Sequence, residues 1–299
     1  MTAMTTAERR GYQQICGDEG AMLVVACDQR GSMRKLLADT PEAQKAITND
    51  DLGVVKMDVA QVLAREAGCV LLDPICAVPG IVDRGVLHRS TGLLIGLDAS
   101  GWDTSPEGYR VSTLVEGVTA RRVRELGGTG GKIMVYLRSD RPEANRENLE
   151  TLRRVVEDFA REDLLLVVEF LTYAVEGETP EEHKARVPEL ILGGTRLCLE
   201  AGAKVLKIPC PGTPEACAAV TEMAGEVPWA VLSAGVDHAT FLGQVEVAMA
   251  NGANGVIAGR SLWKDCISLD REETRRRLTE VAVPRLEEIK AVIARHRGA

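Results

Sequence analysis

The sequence predicts an α/β fold, a single closed (β/α)8 barrel over residues 1–299 with a short helix ahead of its first strand. Three observations predict it. Short β-rich runs recur eight times, at residues 22–28, 69–73, 93–98, 132–138, 164–172, 204–209, 230–236 and 255–260. Helix starts of the Thr-Pro-Glu type fall between them at Thr40-Pro41-Glu42, Thr179-Pro180-Glu181 and Thr213-Pro214-Glu215, with proline at the first helical position, where its missing N–H costs nothing. Strands alternating with helices imply a parallel sheet covered by helices, and eight units in roughly 240 residues suit closure better than an open doubly wound sheet.

In chain order, Thr5 and Glu8 have capping-box spacing and open a helix that runs to about Cys16. Glycines 68, 127, 202 and 252 each stand just before a strand and mark helix ends. The third strand is the weakest of the eight. Around it, residues 80–108 are rich in Gly, Asp and Ser and read as long loops over the site. No linker or low-complexity stretch divides the chain. Asp270, Glu272 and Glu273 open a last helical region, whose Arg275-Arg276-Arg277 run reads as a solvated face rather than a binding patch.

The hydrophobic fraction of 45% and charged fraction of 27% are those of a soluble globular protein. A formal charge of -8 argues against nucleic acid and leaves a phosphorylated small molecule open, because a pocket can be basic within an acidic protein. Eight cysteines, at 16, 27, 69, 76, 198, 210, 217 and 266, lack the spacing of zinc sites and read as reduced core residues. The N-terminal stretch has no apolar h-region and no run of about eighteen apolar residues occurs, so a cytoplasmic protein without a membrane partner is expected.

Barrel enzymes carry their reacting groups at the C-terminal ends of the strands. Strand six alternates so that Val205, Lys207 and Pro209 share one face, which aims an amine out of an apolar run. A desolvated lysine loses affinity for its proton and can attack carbonyls; the plainer alternative is a lysine neutralised by a neighbouring carboxylate. Glu169 interrupts the apolar fifth strand in phase with Val167, where burial favours the neutral carboxyl that acid/base chemistry uses. Its plainer alternative is an ion pair with a barrel lysine. Strand one ends in Asp28-Gln29-Arg30, and strand four places Lys132, Met134, Tyr136 and Arg138 on one face.

The ends of the last two strands, Ser233-Ala234-Gly235 and Gly259-Arg260-Ser261, have the glycines and the bidentate donor that suit a phosphate. Gly127-Gly128-Thr129-Gly130-Gly131-Lys132 fails as a phosphate loop, since it precedes a strand instead of following one. The four histidines, 88, 183, 238 and 296, are too scattered for a zinc-dependent aldolase, so neither metal nor cofactor is expected.

Asp28-Gln29-Arg30, Lys132, Arg138-Ser139-Asp140, Glu169, Val205-Leu206-Lys207, Pro228-Trp229-Ala230 through Val236-Asp237, and Ala258-Gly259-Arg260-Ser261-Leu262-Trp263 together resemble the class I aldolases that include tagatose-bisphosphate and sulfofructose-phosphate aldolases. The resemblance runs from about Gly20 to the C-terminus and is weakest across residues 73–127. It implies a metal-independent TIM barrel, a Schiff base on Lys207, proton transfer by Glu169, and carbonyl or hydroxyl contacts from Asp28, Gln29 and Lys132. Lys132 would also help hold Lys207 partly neutral.

The resemblance puts phosphate near Ser233, Gly235, Gly259 and Arg260, with Arg30 and Arg138 as further substrate contacts. The expected substrate is a phosphorylated ketose, 6-deoxy-6-sulfofructose 1-phosphate or tagatose or fructose 1,6-bisphosphate, and the expected assembly a homo-oligomer. Arg138-Ser139-Asp140 and the Pro228-Trp229 pair lean toward the sulfonate. One segment departs from the family: Ile208-Pro209-Cys210-Pro211-Gly212 stands where a single proline and an acidic residue are expected. A Schiff-base aldolase of deoxyribose phosphate or a 2-keto acid, and a non-catalytic sugar-phosphate-binding barrel, are the alternatives.

Overall fold

Eight parallel strands close on themselves in a computed structural model that describes residues 3–297. The outermost residues of the expected 1–299 unit, 1–2 and 298–299, lie outside the described residues. The strands are β1 (Met22–Cys27), β2 (Cys69–Leu72), β3 (Gly92–Gly96), β4 (Gly130–Tyr136), β5 (Leu165–Leu171), β6 (Leu206–Pro209), β7 (Trp229–Leu232) and β8 (Gly255–Ala258). Each pairs with its sequence neighbours, and β1 pairs with β8, so the barrel has no free edge.

All eight expected strands are present. The expected run 230–236 ends early because the chain turns beyond Leu232, with Ala234 at φ +47° and Gly235 at φ +82°. Threonine caps hold the helices that the Thr-Pro-Glu triplets mark: the side chains of Thr40, Thr179 and Thr213 accept from the backbone N–H three residues on. Residues 80–108 are more ordered than a run of loops. They contain a helical turn (Gly80–Asp83), β3 and the first half of a hairpin that pairs Asp103–Thr104 with Arg110–Val111.

The glycines before Lys132 serve packing. A Cβ on Gly131 would stand 2.4 Å from the ring of Phe159, so only glycine lets the helix Arg146–Arg161 lie this close to the sheet. Within the run Arg275–Arg277, Arg275 is engaged by Asp58 and Gln61, and Arg276 by Glu273 and Glu280. Among the described residues no helix is long and apolar enough to cross a membrane.

Strand alternation divides the interior into two cores. Outward side chains such as Val25, Leu72, Ile133, Phe170 and Ile208 pack beneath the helices. Inward ones, among them Met22, Val24, Leu71, Leu94, Val167, Val205 and Ile257, fill the bore. The helix Thr6–Ile15 stoppers the N-terminal end of that bore with the fully buried Ile15. It is fastened in place by Glu8, which completes the capping box with Thr5 and receives Lys204 Nζ at 2.7 Å on both carboxylate oxygens.

Candidate active site

Two residues up from the apolar plug the bore becomes charged. Asp28 follows Ala26, Glu169 follows Val167 and Lys207 follows Val205, each on the inward phase of its strand, and Lys132 and Asp98 join them from β4 and the end of β3. In the register of the sheet Glu169 pairs with Lys207, so their side chains leave adjacent strands side by side. Lys132 Nζ lies 2.8 Å from Asp28 Oδ2, 2.8 Å from Asp98 Oδ1 and 3.0 Å from Glu169 Oε2. Lys207 Nζ donates to the same Glu169 oxygen at 2.8 Å. Two ammonium groups and three carboxylates therefore form one buried network around a shared atom.

Charge taken out of water is costly unless it is paired and hydrogen-bonded, and this network meets the condition. Burial pushes the carboxyls of Asp28 and Glu169 up, but Lys132 and Lys207 outweigh it and hold both below the usual carboxylate range. Burial likewise favours a neutral Lys132, yet Asp28, Asp98 and Glu169 together raise its pKa well above that of a free lysine. Asp98 alone among the carboxyls moves up: burial leads, and the charges of Asp28 and Glu169 add to it against Lys132.

Two expectations change. Glu169 rests ionised, because two ammonium groups outweigh the burial that would have kept it neutral. Lys132 is a fully charged hub whose positive charge is answered by three carboxylates, and not chiefly a repulsive neighbour of Lys207. The plainer and the chemical readings of Lys207 and Glu169 describe the same contact, since an ion pair 2.8 Å long is also a path for a proton.

Above the network opens a cavity of about 570 Å³ lined by Asp28, Gln29, Asp98, Trp102, Lys207 and Arg260 among others. That volume suits a small metabolite. Two further cavities, of about 750 and 490 Å³, lie at the stoppered end of the barrel and touch none of the buried charges, so chemistry and not size picks out the site.

At its rim Gln29 Nε2 donates to Asp28 Oδ1 at 3.0 Å, while Gln29 Oε1 is buried without a partner among the described residues and can accept from a bound hydroxyl. The ends of β7 and β8 meet there. The Arg260 guanidinium lies against Gly235, where a Cβ would come within 3.2 Å of its Cζ, and among the described residues it makes no ion pair. Gly259 faces Gln29 and the Ala26 carbonyl, and Ser233 is buried at the base of the β7 turn.

A family model for DeoC/LacD family aldolases matches residues 22–265. The chain belongs to that family. It is thus an aldehyde-lyase by family. It is 26% identical to tagatose 1,6-diphosphate aldolase 2 of Streptococcus agalactiae, over 96% of each chain, and 27% identical to tagatose 1,6-diphosphate aldolase of Listeria monocytogenes, over 90% of this chain and 85% of the relative. In fold it is similar to an archaeal fructose 1,6-bisphosphate aldolase, with a TM-score of 0.64 at 20% identity, covering 94% of this chain and 98% of that one.

In this aldolase Arg138 does not reach the cavity. Its guanidinium is fully buried and spent: Nε donates to Asp140 at 2.9 Å, Nη2 to Asp140 at 3.0 Å and Glu178 at 3.2 Å, and Nη1 to the Tyr173 carbonyl at 2.6 Å and to Glu178. The Arg138-Ser139-Asp140 segment ties the loops after β4 and β5 together and leaves no donor for a substrate anion. Arg30 lines the cavity but is also engaged, with Ser100 Oγ at 3.3 Å and the Asp98 carbonyl at 3.0 Å, so it positions the β3 end. Asp98, absent from the expected site, had a signal in the sequence. It has the inward parity of Leu94 and Gly96, just past the strand's end.

Proposed function

We propose that this aldolase is a class I enzyme that cleaves a ketohexose 1,6-bisphosphate, of the tagatose or fructose type, through a Schiff base on Lys207. The observation that carries the reading is the Lys207–Glu169 contact at the base of a cavity, with one proton between an amine and a carboxylate 2.8 Å apart. Transfer of that proton to Glu169 frees the amine to attack the ketone and leaves a carboxylic acid in place to protonate the departing carbinolamine oxygen as water. The resulting iminium draws the C3–C4 electron pair to nitrogen as the C4 hydroxyl gives up its proton. An aldehyde leaves and an enamine remains. Protonation at C3 and hydrolysis of the imine release dihydroxyacetone phosphate and regenerate the lysine.

Lys132 keeps Asp28, Asp98 and Glu169 compatible in one small volume, and its position beside Glu169 stabilises the carboxylate each time it gives up a proton. Asp28 and Gln29 meet substrate hydroxyls. Gly235, Gly259, Ser233 and Arg260 hold a phosphate, a role supported by a guanidinium that has no carboxylate partner among the described residues. Engagement of Arg138 elsewhere takes away one reason to favour a C6 sulfonate. The names of the tagatose 1,6-diphosphate aldolase relatives favour a second phosphate.

Borohydride trapping tests the reading, with tagatose 1,6-bisphosphate, fructose 1,6-bisphosphate, 6-deoxy-6-sulfofructose 1-phosphate and dihydroxyacetone phosphate run in parallel. A mass gain on the peptide containing Lys207 with the ketose that is also cleaved is the expected result. Absence of an adduct with all four overturns it.

A further inference from the structure

The hairpin that follows β3 carries an arginine the chemistry above does not use. Trp102 enters it and Arg110 stands on its second strand, where Asp103–Thr104 pairs with Arg110–Val111. The Arg110 guanidinium lies 3.9 Å from the ring centre of Trp102, 4.9 Å from that of Tyr173 and 5.3 Å from that of Tyr136. The rings meet one another edge to face, Tyr136 at 5.6 Å from Trp102 and 5.8 Å from Tyr173. Only 3% of the chain is aromatic, so three rings around one cation are a built cage and not a chance of composition.

The cage is pinned to the end of β4. Arg110 N–H donates to the Tyr173 hydroxyl at 3.2 Å, and the buried Asn148 donates through Nδ2 to the carbonyls of both Arg110 and Tyr136, each at 2.8 Å. Ser112 Oγ accepts from Tyr136 N–H at 3.0 Å. Trp102 and Tyr136 line the cavity above the buried charges, so the guanidinium held by their rings stands at its wall. Stacking takes up the faces of a guanidinium and leaves the N–H fork at its edge, and among the described residues no carboxylate pairs with that fork.

We propose that Arg110 is the specificity-determining residue for the second anion, taking the phosphate at carbon 6 of the ketose while Arg260 holds the one at carbon 1. It rests on the aldolase reading above, and its support is placement. Round the barrel β8, β7, β6, β5 and β4 are successive neighbours, so β4 stands opposite β8 with β6 midway. Arg260 follows β8, Arg110 is pinned to β4, and Lys207 rises from β6 between them. A sugar with an anion at each end and a carbonyl between them has the same order. The other cations at the wall are spent or placed otherwise. Arg30 is engaged by the β3 end, and Lys35 extends from the helix after β1, beside β8, on the side that Arg260 serves. The rings fix the fork before substrate arrives, so little side-chain freedom is lost on binding.

The test compares kcat/KM for a ketose 1,6-bisphosphate with that for its 1-phosphate, in whichever of the tagatose and fructose series wild type cleaves. Wild type should favour the bisphosphate. In Arg110→Met that preference should fall by roughly tenfold or more, the worth of a charged hydrogen bond, while kcat/KM for the 1-phosphate stays within about twofold. Arg110→Lys, which keeps a cation in the cage without the planar fork, should lose less of it. Borohydride trapping of dihydroxyacetone phosphate, which has no carbon 6, should match wild type in both variants. An equal loss on both ketoses is what a merely structural cage gives, and it overturns the proposal. So does an unchanged preference in whichever variant folds, or a wild type that treats the two ketoses alike. If wild type neither traps dihydroxyacetone phosphate nor cleaves either ketose, the aldolase reading itself fails; with trapping intact, only the assignment of Arg110 does.

Discussion

The lower and upper halves of the bore come from the same strands and the same alternation, yet they are held together by opposite means. Below, Val24, Leu71, Leu94, Val167 and Val205 interlock without a polar atom, and each is stabilised by the water it no longer orders. Above, the next inward positions are Asp28, Asp98, Lys132, Glu169 and Lys207, each tolerable only because the others are there. The apolar half is additive and forgiving. The charged half is a mutual dependence, in which removing one member changes the state of the rest.

The largest expected effect is on turnover alone. Lys207→Met should reduce cleavage to background while leaving the protein folded, because Lys132 still pairs with Glu169; near wild-type cleavage would remove Lys207 from the mechanism. Glu169→Gln should slow turnover by roughly 100- to 10,000-fold, the range for loss of a positioned acid/base, as measured by single-turnover assay. Lys132→Met should cost stability most. It strands Asp28 and Asp98 and leaves Glu169 to Lys207 alone, for about 3–5 kcal/mol by denaturant titration, and a loss under half of the lower figure would mean that the network is not mutually dependent.

In the lower half, Leu71→Ala should cost about 2–5 kcal/mol through the cavity it leaves while the Michaelis constant of the remaining folded enzyme stays put. Asp98→Asn should have the smallest effect and the opposite sign. A carboxyl with a raised pKa is costlier to ionise in the fold than in the unfolded chain, so the amide should raise stability at pH 7 by under about 1 kcal/mol.

Acid should separate the two halves as well. Asp28 and Glu169 have depressed pKa values in the fold, so the stability they contribute is complete above the unfolded carboxylate range, about pH 4, and lost as pH falls through their folded values. Wild type should therefore lose stability more steeply below that pH than Glu169→Gln does.

Much of this was legible in the sequence. A two-residue period, glycine stops and Thr-Pro-Glu starts are local signals, and they mark every strand and the phase of Lys207, Glu169, Lys132 and Asp28. What escaped was non-local. Arg138 lies past the end of β4, and its partner Glu178 is forty residues on, so nothing near it in the chain says that its donors are taken. The ionised state of Glu169 depends on two lysines from two other strands. Asp98 lies two residues past the end of β3, the strand with the weakest signal in the sequence, where the Gly-rich surroundings mask a parity that the closed barrel restores.

The helix Thr6–Ile15 makes the barrel a vessel with a floor. The barrel is closed at that end, so whatever enters or leaves the cavity shares one mouth. On the proposed mechanism, the fragment joined to Lys207 would lie at the bottom of the cavity and the other half of the sugar above it. On that mechanism the order of departure follows from stacking: the upper piece leaves first, and only then can water come down to release the lower one.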